Sequence, residues 1–248
     1  MTVKKAYIQS GDDGMLVGPN LFALWEGARF LGLEPESFHV DQLSSLPLTR
    51  ETMVAGWVKT VHDALRQVGA PVPPPLDYPE RLRRHLGRDV QLRTIGQVHD
   101  EFVESEQTGS PVPVFVKPLA HKLFKGHTIE RFSHLAETSY LPRDTLVWRS
   151  PIVDFTHEYR CFVRDGCLLD VRRYYGDPWV TPDKMTVIHM MREYTDAPVA
   201  YSLDVGVTQS GRTLLVEVND AYSLGTYGFD GLSYAEMVIA RWEEMTRV

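Results

Sequence analysis

Hydrophobic residues recur at helical spacing in the first third of the chain and at strand spacing in much of the rest. Residues 5–9 form a short apolar run typical of a strand, and a helical stripe follows from Asn20 to a stop at Gly32. A second stripe covers residues 54–68 and stops at Gly69. Because a strand is followed by amphipathic helices, we expect an α/β unit at the N-terminus.

A proline-rich segment interrupts this pattern. Residues 71–75 read Pro-Val-Pro-Pro-Pro, which neither a helix nor a central strand accommodates. We therefore expect a stiff connector here and place the boundary after it, with an N-terminal α/β domain over residues 1–88 and a second domain over residues 89–248. From residue 90 onward, strands and short helices are expected, including a buried strand over residues 112–118.

Two strand pairs in the second domain carry hairpin signals. In the later one, a two-residue turn at Ser210–Gly211 would pair Gln209 with Arg212. Continuing that register toward both ends of the hairpin sets Asp204 opposite Glu217.

Asn219 then points the same way as Glu217, because strand side chains alternate with a period of two. The opposite, buried face is expected to carry Leu203, Val205, Leu214, Val216 and Val218. Like charges directly opposite each other repel, so Asp204, Glu217 and Asn219 predict a cation site. The alternative is a solvated outer face with a slightly different loop register.

The earlier hairpin is predicted to turn at Asp165–Gly166. Its register sets Glu158 opposite Arg173, with Arg160 on the same face. A cross-strand ion pair between Glu158 and Arg173 is one interpretation. It would leave Arg160 free as a phosphate ligand, since no reason to bury this arginine is evident from the sequence.

Three lysines lie within nine positions around Gly126. Lys117 ends the apolar run, where it either extends along the surface into solvent or holds a phosphate. Lys122 and Lys125 follow in a short basic loop, and each is either a solvated charge or part of an anion site. Arg149, near the end of a predicted strand over residues 145–149, is either a further candidate for a phosphate ligand or a surface arginine.

Composition narrows the classes of function. The 248 residues carry 33 acidic and 26 basic side chains, a net charge of −7, so we do not expect nucleic acid as the main partner. No apolar run approaches the roughly 20 residues of a membrane span, and no signal peptide is recognisable, which predicts a cytoplasmic protein with no membrane partner. Cys161 and Cys167 would face opposite sides of a hairpin, so we expect two buried, reduced thiols. No pattern typical of a hydrolase triad or a zinc site occurs.

The order of four segments resembles the ATP-grasp superfamily. These are Val-Phe-Val-Lys-Pro at 114–118, Lys-Leu-Phe-Lys-Gly at 122–126, Glu-Tyr-Arg-Cys-Phe-Val at 158–163 and Val-Glu-Val-Asn-Asp at 216–220. Within the superfamily, the chain is most similar to the divergent clade named for one arginine and two lysines. Its strands at 146–149 and 158–163 also resemble the cell-division-cycle family that helps to assemble a translation initiation factor.

The resemblance implies an α+β ATP-grasp fold in which two lobes, about residues 89–148 and 149–248, clasp ATP. Its site residues carry over by position. Lys117, Lys122, Lys125, Arg149 and Arg160 would contact ATP, with Lys122 and Arg160 also catalytic. Asp204, Glu217 and Asn219 would hold Mg²⁺. Ile152 would lie in the adenine hinge, where Pro151 departs from the usual pattern because it lacks a backbone N–H.

The implied activity is ATP- and magnesium-dependent ligation of a carboxylate to an amine through an acyl phosphate. Either substrate could be a small molecule, a peptide or a protein. Two alternatives come from other classes: an assembly chaperone that binds ATP, and a nucleic-acid repair or modification factor.

Overall fold

The computed structural model describes residues 2–120 and 123–247. Five α-helices and eleven strands are present in these ranges. The helices are α1 (Gly18–Phe30), α2 (Val58–Gln67), α3 (Ile95–Gln107), α4 (Lys184–Glu193) and α5 (Gly231–Thr246). The strands are β1 (Lys5–Ser10), β2 (Glu36–His39), β3 (Thr52–Ala55), β4 (Gln91–Thr94), β5 (Val114–Pro118), β6 (His127–Ile129), β7 (Leu146–Pro151), β8 (Phe155–Arg164), β9 (Cys167–Tyr175), β10 (Ala200–Thr208) and β11 (Thr213–Asp220).

The N-terminal strands form a parallel sheet in the order β2-β1-β3, with α1, α2 and α5 contributing to its core. The predicted helix over 54–68 begins later than expected, because residues up to Ala55 are buried as β3. Helix α5 returns from the other end of the sequence to pack against α1. Their backbones meet where a Cβ on Gly27 would collide with the carbonyl oxygen of Gly231. Residues 1–88 as an independent domain therefore stay a prediction.

Two antiparallel sheets make up the remainder. One has the order β4-β7-β5-β6 and packs against α3, and the other has the order β11-β10-β8-β9 and packs against α4. The fold is thus a parallel α/β layer joined to two antiparallel sheets, which matches the predicted fold class. The boundaries of the two lobes remain predictions.

The residues at 71–75 are irregular, as expected of a stiff connector. No disulfide joins the two cysteines among the described residues: Cys161 is buried and Cys167 is exposed. The prediction of two buried thiols was therefore wrong for Cys167, which occupies the first position after the Asp165–Gly166 turn. Within 2–120 and 123–247, no helix is long and apolar enough to cross a lipid bilayer.

Candidate active site

The β10–β11 hairpin places two carboxylates side by side. Asp204 lies opposite Glu217, as predicted. The turn itself differs, because Val207 pairs with Thr213 and the loop is longer than two residues. A β-bulge between Asp204 and Val205 then restores the predicted register, so Asp204 and Glu217 pair as predicted although the turn differs.

The apolar face of the hairpin shows the effect of this bulge. Leu203, Val205 and Val218 are buried in the core as predicted. Leu215 joins them in place of the expected Leu214 and Val216. Because β11 holds one extra residue at the bulge, its side chains between the bulge and the turn point to the opposite face from the one predicted. Glu217 still lies on the face of Asp204.

Asp204 is held by Arg160 on the neighbouring strand β8. The guanidinium donates through Nε to Oδ1 at 2.8 Å and through a terminal nitrogen to Oδ2 at 2.7 Å. Asp204 and Arg160 are buried, with exposed fractions of 2% and 8%. Burial alone would lower the pKa of Arg160, but the adjoining carboxylate raises it, so the guanidinium stays charged. The sequence offered no reason to bury Arg160, and this bidentate pair is the reason.

Lys117, at the end of β5, reaches the same place from the other antiparallel sheet. Its Nζ lies 2.6 Å from Oε2 of Glu217 and 2.6 Å from Oδ1 of Asp77. Burial alone would lower the pKa of Lys117, but Glu217, Tyr78 and Asp77 together raise it. For Glu217, burial would raise the pKa, and the lysine reverses this, so its pKa lies below the ordinary value of 4.5. Both groups are therefore ionised at neutral pH.

Asn219 completes the acidic side of the site. Its Nδ2 donates to Oε1 of Glu217 at 3.0 Å and to Oδ2 of Asp204 at 3.3 Å. No three His, Cys, Asp or Glu side chains form a metal-type group in the described ranges. The set of two carboxylates and one amide still fits Mg²⁺, which commonly takes one or two carboxylates and completes its shell with nucleotide phosphates and water. Both carboxylates accept two or more hydrogen bonds, but the Glu217 side chain is 26% exposed and that of Asp204 only 3%, so Glu217 is the more accessible carboxylate.

The β8–β9 hairpin differs from its predicted register. Two bulges set Glu158 opposite Tyr175 and Arg160 opposite Arg172. The predicted ion pair between Glu158 and Arg173 was wrong for this reason. Glu158 instead accepts a hydrogen bond of 2.8 Å from the hydroxyl of Tyr174.

A glycine-containing loop after β11 covers Arg160. The guanidinium donates to the carbonyl oxygen of Gly225 at 3.2 Å and lies 5.1 Å from the ring centroid of Tyr227. The Tyr227 ring stacks on that of Tyr174, with centroids 4.9 Å apart. Arg160 therefore lies beside two tyrosines as well as beside Asp204.

The structure does not bring Arg149 to this group. Lys117 pairs with Trp148 in the sheet, so the next residue, Arg149, points to the opposite face. There its Nε lies 3.5 Å from Oε2 of Glu101 on α3. A role for Arg149 in binding ATP stays a prediction without support from its position.

Of the other predicted nucleotide contacts, Lys125 and Ile152 lie next to strands of the same sheet. Lys125 is exposed in the loop before β6, and Lys122 lies outside the described residues. Ile152 is exposed just after β7, where it lines a cavity of about 540 Å³ together with Gly87 and Leu214. This cavity lies at the end of β7 away from Leu146, and the role of Ile152 in an adenine hinge stays a prediction.

Sequence reasoning missed two residues, one that contacts Lys117 and one that contacts the bulge in β11. Asp77, after the proline-rich connector, accepts from Nε1 of Trp148 at 2.9 Å and pairs with Val218 through a β-bridge. Arg88 donates to the carbonyl oxygens of Leu215 and Val216 at 2.9 Å and so supports the bulge in β11. Neither residue belongs to a periodic stripe or a motif, so no local signal in the sequence pointed to them.

A groove of about 1170 Å³ does not coincide with the ion pairs. It lies between α2, the proline-rich connector and the start of β7, and Leu119 and Ala120 line it two and three residues after Lys117. His62, also in its wall, is hydrogen-bonded to the Tyr222 hydroxyl at 2.8 Å. The groove therefore lies near the end of β5 that carries Lys117 rather than near Ile152.

Comparison with known proteins shows to which family the chain belongs. No curated protein sequence matches the chain. Many solved structures share its fold, among them the following three. D-cycloserine synthetase DcsG is 12% identical with a TM-score of 0.64, over 96% of this chain and 99% of the other. D-alanine–D-alanine ligase from Bacillus anthracis is 14% identical with a TM-score of 0.58, over 98% of both chains. The ATP-grasp ligase PsnB, solved with a precursor variant, Mg and ADP, is 12% identical with a TM-score of 0.57, over 97% and 99%.

At these identities the likeness concerns the fold alone. The model of one ATP-grasp domain family, the second family of the clade named for one arginine and two lysines, matches residues 85–237. The match covers more than half of the chain and includes every residue of the ion-paired group except Asp77. The chain therefore belongs to family 2 of the one-arginine, two-lysine clade of ATP-grasp domains.

Proposed function

We propose that this ATP-dependent ligase joins a carboxylate to an amine through an acyl phosphate. The observation that carries the proposal is the meeting of Lys117 and Arg160 with Glu217 and Asp204 between two antiparallel sheets. Arg160 and Asp204 are buried there, and Lys117 and Glu217 are partly buried. Two cations and two carboxylates in one cleft supply the opposite charges that a nucleotide polyphosphate and its metal ion require.

Lys117 would bind phosphate oxygens as a point charge, since its ammonium group is mostly buried at a strand end. Glu217 and Asn219, with Asp204, would hold Mg²⁺, which when bound neutralises phosphate charge and orients the phosphates. Binding would then break the ion pair between Lys117 and Glu217. A phosphate group would replace the carboxylate beside Lys117, and the metal ion would replace the ammonium group beside Glu217.

Arg160 would stabilise the transferred phosphoryl group. Asp204 and the Gly225 carbonyl already fix its guanidinium, so little reorganisation is needed when charge develops on the phosphoryl oxygens. In the first step, a carboxylate oxygen attacks the γ-phosphorus of ATP and ADP leaves. In the second step, an amine attacks the acyl carbon, the amide C–N bond forms and phosphate leaves.

The neighbouring folds support the same class of reaction. The names of D-alanine–D-alanine ligase and PsnB describe ligases, and PsnB was solved with Mg and ADP together with a precursor. By analogy, the carboxylate or the amine of the present protein is carried by an amino acid or a peptide.

Release of ADP and phosphate tests the proposal. We expect ATP consumption to depend on magnesium and on an added carboxylate and amine, with ADP and phosphate as the products. Formation of AMP and pyrophosphate instead would contradict the acyl-phosphate route. A stable complex with another protein, with no turnover under any substrate pair, would favour a chaperone.

A further inference from the structure

The groove of about 1170 Å³ between α2 and the proline-rich connector is not used by the phosphate and metal roles described above. Its wall is mostly apolar. The connector contributes residues 72–75, the segment after β5 contributes Leu119, and the start of β7 contributes Leu146, which is 43% exposed. Pockets for small molecules commonly measure about 300–1000 Å³, so the groove has room for a substrate with a large apolar body.

The groove meets the proposed phosphate site at the end of β5. Leu119, in its wall, lies two residues after Lys117, and the backbone N–H of Leu119 donates to the carbonyl oxygen of Leu146 at 3.1 Å. This hydrogen bond holds the segment after β5 against the start of β7. The wall of the groove therefore continues the strand that carries Lys117.

A second contact links the groove to the acidic side of the site. His62 of α2 lies in the wall, and its Nε2 forms a hydrogen bond of 2.8 Å with the hydroxyl of Tyr222. Tyr222 lies two residues after the end of β11 and three residues after Asn219. The groove is thus connected both to the strand of the proposed phosphate ligand and to the strand of the proposed metal ligands.

The charges in the groove wall favour an anion. Among the described residues that line it, Lys59 and Arg66 are positively charged and Asp63 is negatively charged. Nζ of Lys59 lies 2.5 Å from Oδ2 of Asp63, and a terminal nitrogen of Arg66 lies 2.6 Å from Oδ1. Burial lowers the pKa of His62 below its ordinary value of 6.5, so this side chain is mostly uncharged at neutral pH. One positive charge therefore remains in the wall, in a chain whose net charge is −7.

These features fit the carboxylate substrate better than the amine. A wall with a net positive charge attracts a carboxylate and repels an ammonium ion, most strongly at low ionic strength. Burial of apolar groups against the connector and Leu146 adds affinity in proportion to the apolar area removed from water. A carboxylic acid with an apolar body satisfies both conditions.

We propose that the groove binds the apolar body of the carboxylate substrate and directs its reacting carboxylate toward the ion-paired group beside Lys117. This inference rests on the ligase function proposed above. It assigns a substrate class, a carboxylic acid with a large apolar body such as an N-acylated amino acid. It also names Leu146 and Arg66 as residues that determine specificity.

Binding of N-acylglycines of increasing chain length tests the proposal without turnover. Titration calorimetry with the full chain, magnesium and a non-hydrolysable ATP analogue compares N-acetyl-, N-butanoyl-, N-hexanoyl- and N-octanoylglycine. Each methylene group that enters the groove is expected to increase the affinity about two- to fourfold. Because the analogue prevents phosphoryl transfer, the measurement reports binding alone.

Leu146→Glu is expected to remove most of this dependence on chain length, since a carboxylate would replace an apolar side chain in the groove. The gain in affinity per methylene group should fall below about 1.5-fold. Leu92→Glu is the matched control, because Leu92 is 42% exposed on β4 of the same sheet and does not line the groove. This variant should bind the whole series as the wild type does.

Arg66→Gln tests the contribution of charge. Lys59 then only balances Asp63, so the affinity for every N-acylglycine should fall about two- to fivefold at low ionic strength, with the dependence on chain length kept. Arg29→Gln removes an exposed arginine of α1 and should leave the affinity unchanged. n-Octylamine, a cation with an apolar chain, should bind about tenfold more weakly than N-octanoylglycine.

An affinity that does not depend on chain length would overturn the inference, and so would equal losses in Leu146→Glu and Leu92→Glu. Unchanged affinity in Arg66→Gln, or octylamine binding as tight as that of N-octanoylglycine, would show that charge does not select the carboxylate and would also overturn it. Retained binding, with no carboxylate that promotes release of ADP from ATP, would instead contradict the ligase reaction and leave the assignment of the groove intact.

Discussion

Nζ of Lys117 lies 2.6 Å from Oε2 of Glu217, although the two residues belong to different antiparallel sheets. This ion pair joins the sheets at the point where the cationic and acidic residues of the site meet. The same lysine also holds Asp77, so its charge is balanced by two carboxylates before any nucleotide is bound.

Replacing Lys117 with alanine is expected to weaken the binding of ATP about 10- to 100-fold and that of adenosine little, because only phosphate contacts are lost. Titration calorimetry with both ligands measures the difference. Lys4→Ala, which removes an exposed lysine paired with Glu51, is the control and should change neither affinity. Equal losses of ATP and adenosine affinity in Lys117→Ala would mean that the lysine is structural.

Glu217→Ala is expected to abolish the effect of magnesium on ATP binding. The wild type should bind ATP more tightly with magnesium than with EDTA, and the variant should show less than about a twofold difference between the two conditions. Asp170→Asn removes another partly buried, ion-paired carboxylate of the same sheet and should keep the magnesium effect. If Glu217→Ala responds to magnesium as the wild type does, the metal lies elsewhere.

The pKa of Glu217 also gives stability a defined pH dependence. Because its pKa is lowered in the folded chain, its ionised form contributes stability above the ordinary value of 4.5, and that contribution disappears as the pH falls through the folded value. Glu217→Gln should therefore lower the free energy of unfolding at pH 7, and the difference from the wild type should shrink below pH 4.5. Urea unfolding across this range measures it, and a difference that grows on acidification would refute the ionised pair.

Arg88 is expected to keep Glu217 in position through the bulge. Arg88→Met removes two charge-assisted hydrogen bonds to the carbonyl oxygens of Leu215 and Val216, at a cost of about 2–4 kcal/mol in unfolding free energy. The affinity for magnesium and ATP should fall as well. Arg212→Met, at the exposed tip of the same hairpin, is the matched control. Similar losses in both variants would show that Arg88 has no special role in the bulge.

Local sequence signals predicted those parts of the site that depend on residues close together in the sequence. The pairing of Asp204 with Glu217 followed from two alternating strands around a glycine-containing turn. The turn type was wrong because the loop holds more than two residues, and the bulge corrected the register. Nothing in the local pattern specifies this bulge, since Arg88 supports it from a distant segment.

The positions of Glu158 and Arg149 were not predicted, for different reasons. Two bulges in the β8–β9 hairpin moved Glu158 away from Arg173, and each bulge shifts the pairing by one residue. For Arg149, strand alternation relative to Trp148 was sufficient to predict the opposite face, but the pairing of Trp148 with Lys117 was unknown.

The contact between Asp77 and Lys117 could not be predicted from the sequence. It follows the proline-rich connector and lies 40 positions from Lys117 and 140 from Glu217 along the chain. Only the packing of the connector against β11 brings its carboxylate to the lysine. Contacts of this kind depend on tertiary structure rather than on periodicity.

Isotope transfer from the carboxylate tests the central claim most directly. A carboxylate substrate labelled with ¹⁸O at both oxygens is incubated with the protein, magnesium, ATP and an amine, and the phosphate released is analysed by mass spectrometry. We predict one ¹⁸O atom in each phosphate, because the carboxylate oxygen that attacks the γ-phosphorus leaves with the phosphoryl group. Amide formation with unlabelled phosphate would contradict an acyl-phosphate intermediate.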